Sequence, residues 1–316
     1  LIRLTRELGY HMIRKDSFPT TMTQIGMSLA ERFADILSAQ EPLAEYTSLR
    51  VGGRAQWFAE PRSKQQLAEL LQACREQNIP WRILAGGTNV LVRDEGVPGL
   101  VCRLSAADFR EINLDGCRLQ ASAATPLSQL ITAAARQSLA GLENLIGIPG
   151  TIGGSLFCSL GSRSGPLTSL LHTVEFLDSL GHHRTVSAEE WLALGPRPSQ
   201  LVVLSVELHL ERDDPDSILR RLRRAWITRL AQQPFSLQHT ARIFQEPRGL
   251  SLEQLFEQAG IRHVRFGGAE LSERSPNFVV THPGATARDV LRLVEHIRQR
   301  VFDHTGHQLQ LELDIW

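Results

Sequence analysis

The sequence predicts an α+β protein in two parts: a larger mixed region running to about residue 212, then a smaller α+β unit. Three observations carry this prediction. Apolar residues repeat with period 2 in some segments and period 3.6 in others, and the two kinds of segment are interleaved up to about residue 212. A charged, turn-rich stretch, ERDDPDS at 211–217, then separates them from the C-terminal segments. Two glycine-rich turns, LAGGTNVLV at 84–92 and GLENLIGIPGTIGG at 141–154, punctuate the first block.

A chain of 316 residues, 42% apolar and 22% charged, can bury a large core. Its formal net charge of zero gives no electrostatic argument for nucleic acid or a membrane surface, and neither partner is expected. No run of 18 apolar residues is present, so no membrane-spanning helix is expected. The four cysteines are scattered with no CxxC pair, so no metal site is expected; Cys74 and Cys117 fall on apolar positions and read as core filling. Residues 1–26 lack the apolar stretch of a signal peptide and read as a disordered extension or a mis-assigned start, with a helix opening at Met27.

The elements follow in order. In RSKQQLAELLQACREQN, Leu67, Leu70, Leu71 and Cys74 form the apolar face of a helix. WRILA (81–85) and LVCRL (100–104) read as strands on either side of the first glycine turn. Cys117, Leu119, Ala121 and Ala123 alternate as on a half-buried strand. A helix follows, with Pro126 near its start and Gly141 just past its end. TVEFLDS and VVLSVELHL are further strands. Beyond the break, ILRRLRRAWITRLAQQ is an arginine-rich helix, readable as a solvated face or as a phosphate-facing surface. SLEQLFEQAG and TARDVLRLVEHIRQRVFDHTG are amphipathic helices, the latter capped by Thr286 and ended by Gly306. In the closing QLQLELDIW, Leu309, Leu311, Leu313 and Ile315 share one face of a predicted strand and Gln310, Glu312 and Asp314 the other.

Neither the GxGxxG dinucleotide fingerprint nor a GxxxxGK[ST] loop is present. AGGTN can aim successive N–H groups at one anion such as a pyrophosphate; a plain tight turn explains it equally. GIPGTIGG can lie against a flat aromatic ring, or be a buried loop packed on a neighbour.

Five segments, in order, resemble the UDP-N-acetylenolpyruvoylglucosamine reductase (MurB) family, in its shorter second type: YTSLRVGGRAQWFAEP, AGGTNVLVRDEGVPGLV, GLENLIGIPGTIGG, FGGAELSERSPNFVV and GATARDVLRLVEHIRQRV. The resemblance implies an FAD-binding region of the vanillyl-alcohol-oxidase type, then a smaller α+β substrate domain. It divides the chain into an N-terminal extension and helix (1–42), the FAD-binding region (43–212) and the substrate domain (213–316). It implies a cytoplasmic, monomeric flavoenzyme that uses NADPH and FAD to reduce the enolpyruvyl group of a UDP-sugar. Gly86, Gly87, Thr88 and Asn89 would hold the FAD pyrophosphate, with Arg50, Val51, Gly52 and Gly53 close by. Gly147, Gly150, Thr151, Gly153 and Gly154 would line the flavin.

The same resemblance implies a catalytic set. Arg197 and Ser199, in LGPRPS, match the family's G-Y-R-x-S, with Pro196 at the tyrosine position. Glu312 matches the family's C-terminal glutamate, and Gln245 and Asn277 fall in substrate-contacting segments. ARIFQEP departs from the family's G-[SC]-x-F-K-N-P: Arg242 stands where the proton-donating serine or cysteine belongs. Arginine is no ordinary proton donor. Two readings stay open: a working reductase with another donor, such as Thr240 or water, or a MurB-like FAD-binding protein acting on a different substrate or in a binding role.

Overall fold

A computed structural model describes residues 29–158, 167–194, 201–234, 236–247 and 249–316. Two sheets build the first block. In the first, Leu37–Pro42, Arg54–Ala59, Val97–Arg103 and Trp81–Leu84 lie side by side in that order, the first pair antiparallel and the other two joints parallel. Parallel neighbours need a crossover, and the helix Lys64–Glu76 supplies it. Ser63 caps that helix by accepting from Gln66 N, and Leu67, Leu70, Leu71 and Cys74 are buried, as the spacing predicts.

The second sheet is antiparallel throughout, in the order His183–Ser187, Leu171–Leu177, Val202–His209, Arg118–Ser122, Ile112–Asp115. Leu119 and Ala121 turn into its core while Arg118 and Gln120 face solvent. Cys74 is fully buried, whereas Cys117 packs only at a core's edge. One expectation fails: the helix predicted to run to Gly141 ends at Arg136. Ser138 takes a left-handed φ of 56°, and Leu139–Ala140 leaves to pair with Glu211–Arg212. The core draws Leu139 in (2% exposed) and overrides a helical sequence pattern.

The stretch read as a linker is used as a helix start. Asp214 accepts from Ser217 N, and Pro215 opens the helix Pro215–Gln232. The last part is a four-stranded antiparallel sheet, Thr240–Arg242, Phe278–Thr281, Ala269–Leu271, Arg265–Phe266, packed with the helices Leu252–Gln258 and Ala287–Thr305. The latter has the predicted caps, a Thr286/Asp289 capping box and Gly306 in the left-handed region. Its core also takes in Leu49, Val51 and Leu91 from the first block, so the two parts share apolar packing.

The C-terminal segment corrects a second expectation. It is not one regular strand: Leu311 bridges to Phe244, and only Asp314–Ile315 forms a ladder, parallel to Val90–Leu91. Between them, the N–H groups of both Glu312 and Leu313 donate to Ile243 O, the signature of a bulge. Leu309 and Leu313 still reach the core. The bulge breaks the ladder where Glu312 leaves it.

Candidate active site

A cleft of about 500 Å³ opens between the two sheets of the first block. Ile83 and Val97 wall one side, Val202 and Val203 the other, with Gly153, Gly154 and the C-terminal Trp316 also lining it. The two glycine loops meet beside it: a Cβ placed on Gly86 would lie 3.1 Å from Gly150 Cα. Gly150, at φ +117°, faces Thr88, whose Oγ1 would be 3.2 Å from its Cβ.

Gly87 is required for a reason the sequence does not reveal. It adopts φ +62°, and a Cβ there would sit 2.0 Å from Tyr46 O, so the residue is shaped by the chain behind it rather than by the cleft. Its own carbonyl accepts from Ser48 N. The N–H groups of Gly86, Gly87, Thr88 and Asn89, and those of Gly147, Gly150 and Thr151, have no acceptor among the described residues. Close by, Thr47 is 3% exposed and its hydroxyl also lacks a partner among the described residues. Of these residues Gly87, Thr151 and Thr47 are buried; buried donors are rare unless something else satisfies them, and a pyrophosphate with an isoalloxazine supplies acceptors of the right kind. The residues present therefore fit FAD. Sequence reading overlooked Thr47; its signal is the threonine next to Tyr46 in YTSLRVGG.

The neighbouring segment plays a different part. Arg50 is exposed and donates to Glu45 O. Val51 points into the C-terminal core, while Gly52 and Gly53 pack against the backbone of 92–96. Gly52 and Gly53 thus brace the loop that follows Gly86–Asn89. Asn89 is also committed: Nδ2 donates to Glu312 O at 2.8 Å and its carbonyl accepts from Asp314 N. Trp316 is pinned by its indole N–H to Asp314 Oδ2 and by Arg82, 5.3 Å above its ring.

Helix Pro215–Gln232 uses its arginines in two ways. Arg223 and Arg224 are exposed, but Arg221 donates to the buried Glu143, 2.7 Å away, and to Asp213. These bonds raise the guanidinium's pKa further. Glu143 also accepts from Gly141 N, so one buried carboxylate fixes the start of the second glycine loop. Further along, Arg229 donates to Asn144 O at 2.8 Å and Gln233 to Gly147 O, while the Trp226 ring lies against Gly147. Arg229 Nε is buried without a partner among the described residues; burial, then the charge of Arg242, lowers its pKa from the usual arginine value.

Near enough for its charge to act on Arg229, Arg242 meets two carboxylates. Its Nε lies 3.3 Å from Glu312 Oε2, and its Nη2 lies 3.3 Å from Glu246 Oε1. Gln245 donates to Leu311 O. Asn277 is buried and spends its side chain on Phe244, accepting from its N–H and donating to its carbonyl. Thr240, on the same strand as Arg242, is 4% exposed with its hydroxyl turned to Ser236 O. Arg197 and Ser199 lie outside the described residues.

Two family models match along the chain: an FAD binding domain over residues 55–187 and the C-terminal domain of UDP-N-acetylenolpyruvoylglucosamine reductase over 233–316. The reductase of Heliobacterium modesticaldum is 36% identical over 282 residues, covering 87% of this chain and 89% of its own. The chain belongs to the UDP-N-acetylenolpyruvoylglucosamine reductase family. That of Rhodopirellula baltica is 32% identical, covering 92% of this chain and 97% of its own. The crystal structure of the Thermus caldophilus reductase matches with a TM-score of 0.73 at 34% identity, covering 88% of this chain and 98% of that one. As in that family, the fold is α+β, an FAD-binding region of the vanillyl-alcohol-oxidase type followed by a smaller α+β domain.

Proposed function

We propose that this chain is the FAD-dependent enzyme that reduces UDP-N-acetylenolpyruvoylglucosamine to UDP-N-acetylmuramate with NADPH, in peptidoglycan precursor synthesis. Identity above 30% to named reductases over most of the chain supports this. The observation that carries it is the row of N–H donors with no acceptor among the described residues, on two abutting glycine loops beside a cleft.

When bound, FAD would supply hydride transfer from NADPH to the enolpyruvyl double bond. Every other task falls to side chains. The N–H groups of Gly86–Asn89 would bind the pyrophosphate, and the 147–154 loop would carry the ring, held in place by Glu143, Arg221 and Arg229. As hydride arrives, negative charge grows on the substrate carboxylate and must be stabilised. Arg242 uses Nε and Nη2 on Glu312 and Glu246, leaving Nη1 for that anion. Arg197 and Ser199 would join it. Gln245 would contact substrate, while Asn277 acts as a positioning residue through the Phe244 backbone. The adjacent carbon needs a proton. Thr240 is too buried to give it, so the donor we assign is a water ordered by Glu312.

On this reading the domain break falls at 212/213, and Leu37–Pro42 counts with the FAD-binding region as its edge strand. The enzyme works as a cytoplasmic monomer; among the described residues no helix is long and apolar enough to cross a membrane. The deciding experiment is the visible spectrum of the purified protein. NADPH should bleach a flavin band, and UDP-N-acetylenolpyruvoylglucosamine should restore it. A colourless protein, or a band that substrate leaves bleached, overturns the assignment.

A further inference from the structure

On the face of the second sheet that carries Glu207, two histidines and a glutamate come together. Glu207 and His209 lie two apart on one strand and so share a face. His172 belongs to the neighbouring strand. By simple alternation it would point opposite to Thr173, the residue paired with Glu207. It does not, because the ladder is irregular there: Glu207 pairs with Thr173 but Leu208 with Leu171, leaving His172 as the unpaired extra residue. A bulge re-aims such a side chain. His172 consequently stacks on His209, ring centres 4.0 Å apart and 18° from parallel.

The donor atoms converge. His209 Nε2 is 3.2 Å and His172 Nε2 4.0 Å from the same Glu207 Oε1, and all three donors lie within 4.8 Å of one another. Among the described residues no other grouping of three histidine, cysteine or acidic donors comes so close. Around a tetrahedral Zn(II), with bonds of about 2.0–2.2 Å, ligand atoms sit about 3.3 Å apart. The histidines are 48% and 45% exposed, so small side-chain rotations can close the remaining gap and splay the rings toward a common point. Among the described residues the competing cation is Arg118, Nε 3.9 Å from Glu207 Oε1, and it is 65% exposed and free to swing away.

We propose that His172, Glu207 and His209 form a binding site for a divalent d-block cation, Zn(II) or its chemical neighbours, that staples the Leu171–Leu177 and Val202–His209 strands together. Two imidazoles and a single carboxylate suit such an ion and not Mg(II) or Ca(II), which take oxygen donors. The remaining coordination positions face solvent and would be filled by water.

The test uses tag-free, FAD-loaded protein stripped with chelator, titrated with Zn(II) against a chromophoric chelator and, separately, by thermal melting. The expected result is one equivalent bound and a melting temperature that rises with Zn(II). His172→Gln and His209→Gln should each weaken binding by more than the ~10–100-fold typical of losing a group beyond the ligands themselves. Both are surface changes, and flavin absorbance reports that each variant is folded. A control variant, His304→Gln with His307→Gln, should bind as the parent does. The site is refuted if the parent shows neither stoichiometric binding nor a thermal shift. It is equally refuted if the double variant His172→Gln/His209→Gln binds as tightly as the parent, or if the loss follows His304 and His307.

Discussion

Arg242 reaches across from the edge of the C-terminal sheet to Glu312 on the returning C-terminal chain, Nε to Oε2 at 3.3 Å. On the proposed reading the pair joins the position expected to supply the proton to the expected C-terminal acid. Each side chain is about one-third exposed, so the bond organises the site more than it stabilises the fold.

Replacing Glu312 by glutamine keeps the shape and removes both the acid and half the ion pair. Turnover should fall by ~10²–10⁴. Stability should change by no more than about 1 kcal/mol, the scale of a partly solvated pair. Steady-state assay and urea melts check both; unaltered turnover would make Glu312 a structural partner of Arg242 and nothing more.

Arg242→Ser restores the family residue but frees both Glu312 and Glu246. If Arg242 grips the substrate's negative charge, KM should rise by about 10-fold or more, as expected for a lost charge-assisted hydrogen bond. Flavin reduction by NADPH should stay within about twofold of the parent rate, since that step uses no proton from this position. Stopped-flow traces of the two half-reactions separate these effects. An unchanged KM for the UDP-sugar would remove Arg242 from the substrate site.

Gly87→Ala tests the nest. The added methyl meets Tyr46 O, 2.0 Å away, and φ +62° disfavours any side chain. The loop must shift and its N–H groups lose their common aim. The variant should purify with much less flavin, read from the ratio of visible to ultraviolet absorbance, while far-ultraviolet circular dichroism stays close to the parent. Full flavin content would mean that the 86–89 backbone does not hold the cofactor.

Lys64 joins the two halves of the FAD-binding region, its Nζ 3.2 Å from Glu175 Oε2. Burial alone would raise the Glu175 pKa, but hydrogen bonding from Ser205 and the charge of Lys64 outweigh it and hold the carboxyl below its usual value. A depressed carboxylate stabilises the fold above its unfolded pKa of about 4.3, and that contribution fades as pH falls through the lower folded value. Lys64→Met should therefore cost about 1 kcal/mol at neutral pH. The difference from the parent should shrink steadily below about pH 4. A pH-independent difference in denaturant midpoints would assign the effect to packing.

The sequence by itself determined the repeating parts of this protein. Helix faces such as Leu67–Leu70–Leu71–Cys74, the Thr286 and Gly306 caps and the alternation of Leu119 and Ala121 follow from local periodicity and hydrogen-bonding chemistry, which neighbouring residues carry in full. The glycine loops were legible as special, and their assignment to a flavin rests on the resemblance. Only the tertiary structure decided why Gly87 must be glycine, because the Tyr46 carbonyl behind it is 41 positions away in the chain. It decided that the predicted helix stops at Arg136, since burial of Leu139 outweighs helix propensity. It decided, too, that Arg242 and Glu312 meet, and that His172 turns toward Glu207 and His209. Those outcomes hang on bulges at Glu312–Leu313 and at His172, and a bulge is set by how two distant strands register against each other.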